Sequence, residues 1–146
     1  MRRSLVLFGI VLLGTAGVWV HAAQQPATAP PAQAFNPANF TGTVTPHSTA
    51  DIRMNRYHFD PGARTKWHSH SGGQVMLVEE GVTHHQNKGG PVMELRANEA
   101  YYVQPGVVHW HGAAADSSTV QFNTTRGDIT WLEEVSEADY KAKAKR

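Results

Sequence analysis

Between Phe35 and Val135 the sequence offers no long amphipathic helix; apolar or alternating runs break after a few residues at clusters of Gly, Pro, Asn and Asp. Ile52 to Phe59 stops at Asp60-Pro61-Gly62, Gln74 to Glu80 at Gly81, and Val82 to Gln86 at Asn87-Lys88-Gly89-Gly90-Pro91. Val92 to Leu95, Ala100 to Val103, His109 to His111, Thr119 to Thr125 and Ile129 to Val135 continue in the same style. Short strands at regular spacing with turn residues between them predict an all-β chain, an antiparallel sandwich or barrel. A short C-terminal helix is expected after Ser136, because Ser136-Glu137-Ala138-Asp139 has the form of a capping box.

The chain begins differently. Arg2-Arg3 followed by the apolar run Leu5 to Val20 and small residues at Ala22-Ala23 reads as a secretory signal peptide over residues 1–23. The run is shorter than the ~20 apolar residues a membrane span requires, so no membrane attachment is expected after cleavage. Residues 24–34 are an Ala/Pro/Gln-rich linker, expected to be disordered because Pro26, Pro30 and Pro31 prevent regular hydrogen bonding. Residues 35–146 then suit one domain, periplasmic or secreted. Charge is balanced at 13 basic against 12 acidic residues, and loss of Arg2 and Arg3 leaves 11 basic, which speaks against nucleic acid as a partner. With no cysteine, thiol catalysis, thiolate metal sites and disulfides are excluded. Nine histidines are the unusual feature of this composition.

His68 and His70 are two residues apart, so on a strand both imidazoles leave the same face; Gln74 returns to that face if the Ser71-Gly72-Gly73 bend keeps phase. His109 and His111 repeat the arrangement further along. Converging neutral nitrogen donors suit a divalent transition metal such as Mn, Fe, Co, Ni or Zn. His84-His85 precedes a hairpin turn, and adjacent residues point to opposite faces; one of them should be plain surface, with His84 the one considered for the interior. His47 reads as solvated, and Trp67, Trp110 and Trp131 as core.

These motifs resemble the cupin superfamily. Gly62-x5-His68-x-His70-x3-Gln74-x6-Gly81 is similar to the first cupin motif, and Pro105-Gly106-x2-His109 to the core of the second. The resemblance implies a small jelly-roll β-barrel holding one metal on His68, His70, Gln74 and His109. Gln74 stands where the motif usually has Glu, Gln104 replaces its first proline, and Asn98 its opening glycine. An all-neutral donor set would leave the ion its full charge and make it a stronger Lewis acid.

The wider sequence, including Phe40-Thr41-Gly42-Thr43-Val44, Asp60 to His68 and His109 to Ala114, resembles small bacterial cupins that include the manganese-dependent hydroxynitrile lyases and proteins labelled carboxymuconolactone-decarboxylase-like. That resemblance implies manganese first and iron next, and a lyase cleaving a cyanohydrin to aldehyde and cyanide, with His111 the candidate base. Asn55 and Tyr57 on one strand, Gln121, Asn123 and Thr125 on another, and Met76 and Val78 are candidates for the wall of a small-molecule pocket. The lyases lead one to expect a second histidine at the place of Gln121, which cannot titrate. An Fe-dependent dioxygenase and a non-enzymatic metal- or ligand-binding cupin are the competing readings. A homodimer or higher homo-oligomer is expected, with Phe40 to Thr49 as a possible edge strand.

Overall fold

The computed structural model describes residues 35–146; the signal-peptide and linker readings fall outside them. These residues form two compact units, the first ending at Val44 and the second spanning Thr45–Arg146. In the first, Asn36 caps a single 3-10 turn, Pro37–Asn39, and Phe35 stacks on Phe40 at 5.3 Å. Phe40 to Thr49 forms no strand, contrary to the expectation of an edge; these residues are exposed, and Pro46 would remove a ladder donor.

The second unit is a curled antiparallel sheet of eight strands: β1 (Ile52–Phe59), β2 (His68–His70), β3 (Gln74–Asn87), β4 (Met93–Arg96), β5 (Ala100–Val103), β6 (His109–Ala113), β7 (Thr119–Arg126) and β8 (Ile129–Trp131). The central order is β1-β7-β3-β6-β2-β8, with β4 and β5 also pairing with β3. A single short helix, α1 (Glu137–Tyr140), follows; Ser136 Oγ accepts from the Asp139 N–H, as the capping box predicts.

The sequence reading broke the chain at Gly81, yet β3 runs through it for 14 residues. Its first half pairs with β5 and β7, its second with β4 and β6, so one strand serves both halves of the sheet. The register slips by one residue between Val78 and Glu80, a β-bulge. Before it Gln74, Met76 and Val78 are buried; after it Thr83 and His85 are buried inside, and Gln86 is buried on the other face by Trp110. The inward face thus changes from even to odd numbers. Gly81 lies just past the bulge with φ +73°, and a Cβ there would stand 1.9 Å from the Ser118 carbonyl oxygen, so only glycine fits.

Two apolar clusters flank the sheet. Met76, Val78 and Leu95 pack with Tyr101 inside, while Trp67, Val92, Trp110, Val135 and Tyr140 pack on the other face under the C-terminal segment. Trp110 donates its indole N–H to Gln86 Oε1 at 2.7 Å, and the Tyr140 hydroxyl donates to the Ala113 carbonyl at 2.9 Å, so the polar tips of both rings are satisfied. Trp67 and Trp110 are core as expected. Trp131 is not: it is 55% exposed, because β8 lies at the end of the strand order and the ring, beside that of His68, faces an open cavity.

Gly81→Ala is expected to lower the melting temperature by more than ~10 °C, since steric strain of about 2 kcal/mol or more corresponds to ~4–8 °C per kcal/mol in a domain of this size. Circular dichroism melting checks this; an unchanged midpoint would mean that β3 accommodates a side chain by shifting away from Ser118.

Candidate metal centre

β2, β3 and β6 deliver the imidazoles. His68 pairs in register with His109 on β6, and His85 on β3 with His111. The positive φ of Gly73 (+84°) turns the chain tightly enough for β3 to start in phase, and Gln74 is buried as the alternation predicts. The ring nitrogens of His68, His109 and His111 include one from each within 4.8 Å of the others, so three buried histidines could hold an ion. His70 is adjacent, its ring centroid 5.2 Å from that of His68 and 5.7 Å from that of His109.

The Gln74 carboxamide occupies the middle of this group. Its Oε1 is 2.8 Å from His109 Nε2, and its Nε2 donates to Asn123 Oδ1 at 2.7 Å and sits 3.4 Å from His111 Nε2.

The hydrogen bonds show what this arrangement suits. His68 Nδ1 lies 2.9 Å from the Lys66 carbonyl and His109 Nδ1 3.0 Å from that of Val107, so each carries its proton on Nδ1 and presents a bare Nε2 to the interior. A neutral His109 then sets a lone pair against the Gln74 oxygen at 2.8 Å. Two acceptors at that separation repel unless a cation lies with them. The donor set therefore fits a metal, and its chemistry is that of a nitrogen-rich, neutral transition-metal site.

Burial favours neutral imidazoles throughout. His70 is pushed down to about 4 by desolvation, then by the charge of His68, with a smaller contribution from Arg53. His109 is pushed down to about 3 by desolvation and the neighbouring histidines, and His111, wholly buried, lies well below its ordinary value for the same reasons. His111 Nδ1 donates to Gln121 Oε1 at 2.7 Å, Thr65 Oγ1 accepts from its backbone N–H, and Phe59 meets its ring edge-on at 5.9 Å.

A cavity of about 480 Å³ opens onto His68, His70, Gln74 and His111. Of the expected wall residues, Asn55, Tyr57, Asn123 and Thr125 line it. Gln121 does not reach the wall; it stands behind His111. Met76 and Val78 share the inward face with Gln74 but lie further along β3, packed with Leu95 as core, and do not line the cavity. His109 is likewise hidden from the lumen, at the back of the cluster.

Several contributors are not among the residues the sequence singles out, His58, Thr65 and Ile129 of the cavity wall included. Arg53 and Phe59 share the inward face of β1 with Asn55 and Tyr57, so alternation alone could have found them. Trp131 lines the cavity and lies over His68 at 4.8 Å. His85 was the most consequential omission: it is completely buried, 4.3 Å from the Tyr101 ring, with Nε2 on Asn87 and Nδ1 unpartnered. His84, the member of the pair considered for the interior, is half-buried on the opposite face, near Tyr140. The bulge before it reverses the parity on which that reading rested.

Comparison with known proteins agrees with this architecture. The cupin domain family matches residues 55–124. A cupin-like protein of Thermotoga maritima superposes with a TM-score of 0.61 at 38% identity, over 62% of this chain and 71% of that one. The (R)-mandelonitrile lyase of Granulicella tundricola is 36% identical over 87 residues, 57% of this chain, and the matched part spans 66% of that protein, just short of two thirds. A Klebsiella pneumoniae protein with a double-stranded β-helix domain shares the fold at TM-score 0.53 and 18% identity, over 70% of this chain and 98% of its own. The chain belongs to the cupin superfamily.

The lowered proton affinities carry a stability consequence for the metal-free protein. An unfolded chain binds protons at these histidines once pH falls below about 6.5, whereas the folded chain resists until about 4 at His70 and His85 and about 3 at His109. Within that window the unfolded state holds more protons, so acidification favours unfolding. The urea midpoint should be level above about pH 7 and fall steadily toward about pH 4; a midpoint constant across that range would show that the interior histidines are not held neutral.

Proposed function

We propose that this protein is an exported metal-dependent lyase that cleaves a small cyanohydrin to aldehyde and cyanide. The observation that carries this reading is the gathering of the His68, His70 and His109 ring centroids within 6 Å of one another, with Gln74 Oε1 2.8 Å from His109 Nε2 and the unprotonated Nε2 of His111 beside them at the cavity wall. The mandelonitrile lyase among the relatives supports the reaction class, and the Leu5 to Val20 run supports export.

In this reading His68, His70, Gln74 and His109 hold one divalent ion, manganese by preference and iron next. When bound, the ion supplies Lewis acidity toward the substrate hydroxyl. The remaining work falls to the chain. His111 accepts the hydroxyl proton at Nε2 as the carbon–carbon bond breaks and its electron pair leaves with cyanide; the same nitrogen then returns the proton, so HCN departs and the imidazole is neutral again. Gln121 fixes the tautomer by accepting from Nδ1–H, the role a partner carboxylate or amide plays for a general base. Asn123 carries a buried Nδ2 with no protein partner and can donate to a substrate acceptor. Trp131, Tyr57 and Phe59 give the cavity apolar walls for the rest of the molecule.

Metal analysis together with cyanide release from mandelonitrile tests the reading. The manganese-loaded protein should bind about one ion per chain and release cyanide, and His68→Ala should lose the ion. His111→Asn should keep the ion and lower kcat by about 100-fold or more, the usual contribution of a positioned general base. A bound ion without cyanide release from any cyanohydrin would remove the lyase assignment and turn attention to a dioxygenase or a ligand-binding cupin. Absence of specific metal would remove the whole reading.

A further inference from the structure

Arg53 is the described arginine left without a carboxylate. Arg56 pairs with Glu79, Arg64 with Glu137, Arg96 with Glu94, Arg126 with Asp51 and Arg146 with Glu99. Arg53 instead donates Nη1 to the Gly127 carbonyl at 3.0 Å, which tethers the guanidinium and leaves Nε and Nη2 without partners among the described residues. It lines the cavity, where no Asp or Glu among the described residues contributes to the wall. The other ionisable side chain at the rim, His58, is engaged with Asp60 at 3.3 Å. The cavity therefore has one fixed, uncompensated positive charge.

Its position relative to the histidines follows from register. Thr125 on β7 pairs with Arg53 on one side and with Gln74 on the other, so the Arg53 and Gln74 backbones stand two strand spacings apart, roughly 10 Å around the curl. Tyr57, Phe59 and Trp131 supply aromatic surface at the same cavity. A volume of about 480 Å³ is ample for a one-ring molecule.

We propose that the substrate is a small aromatic hydroxy compound bearing a carboxylate, with the carboxylate on the Arg53 guanidinium and the hydroxyl directed at the histidine cluster. The inference rests on this cavity being the substrate site of the reaction proposed above, but not on the reaction itself. A planar guanidinium with two free donor positions matches a carboxylate in a way a lysine would not, and a tethered side chain loses less freedom on binding.

Calorimetric titration of the manganese-loaded full chain with para-hydroxymethylbenzoate and its neutral amide analogue tests this. Both probes present the same ring and hydroxyl; only the far end differs. At low ionic strength the carboxylate should bind about tenfold tighter, a preference sized for a pair at a solvent-open rim and expected to shrink in high salt. Arg53→Gln should bring the two probes within about twofold of each other, whereas Arg53→Lys should keep part of the preference. Equal affinities in the parent protein, or a preference that survives Arg53→Gln, would overturn the proposal; in the latter case the carboxylate sits on the metal. The two readings fail separately: a preference that depends on Arg53 with no cyanohydrin cleaved leaves the ligand class standing without the lyase, and cleavage of mandelonitrile with no preference does the reverse.

Discussion

A one-residue slip in β3 governs the arrangement of the interior. Until Val78 the strand turns its even-numbered side chains inward, and past Glu80 its odd-numbered ones. The slip lets a single strand run through both halves of the sheet, placing Gln74 in the middle of the cluster at one end and His85 opposite His111 at the other. Without it, His84 and Gln86 would face inward, and Gln86 could not receive the Trp110 indole on the outer face. The interior histidines and the outer aromatic cluster therefore depend on the same irregularity.

The side chains gathered inside are mostly polar, which inverts the usual distribution. His68, His85, His109, His111, Gln74, Gln121 and Asn123 are all nearly or wholly buried. None carries a charge at neutral pH, so burial costs hydrogen bonds rather than unpaired ions, and most of those bonds are made within the group. Apolar packing is correspondingly displaced, with Trp67, Trp110 and Tyr140 on the far side of the sheet supplying much of it. At the rim, Arg53 is the only charged lining residue that is not a histidine, and no Asp or Glu among the described residues balances it.

Much of this was legible in the sequence because it depends on local period. His68, His70, Gln74, His109, Gln121 and Asn123 share faces by simple alternation, and turn residues marked nearly every strand end. Ser136 announced its helix. Asn98, noted as a departure from the motif's glycine, has φ 70°; asparagine is among the few side chains that tolerate that region, so the substitution keeps the turn. What escaped were features set by neighbours. The slip at Glu79 arises from pairing with β7, the exposure of Trp131 from β8 lying at the end of the strand order, and the place of Met76 and Val78 in the core from their packing with Leu95. Arg53 was visible in the alternation of β1, but its lack of a carboxylate partner requires the positions of all the other charges.

The strand carrying His68 and His70 is flanked by β6 and by β8, whose Trp131 pairs with His68. Further along the chain, Tyr140 bonds the Ala113 carbonyl at the end of β6 and Lys145 pairs with Met93 of β4. Residues late in the sequence thus complete the surroundings of histidines that come well before them. A chain emerging from a ribosome cannot assemble this cluster piecemeal: its buried histidines come together only once the later strands have docked.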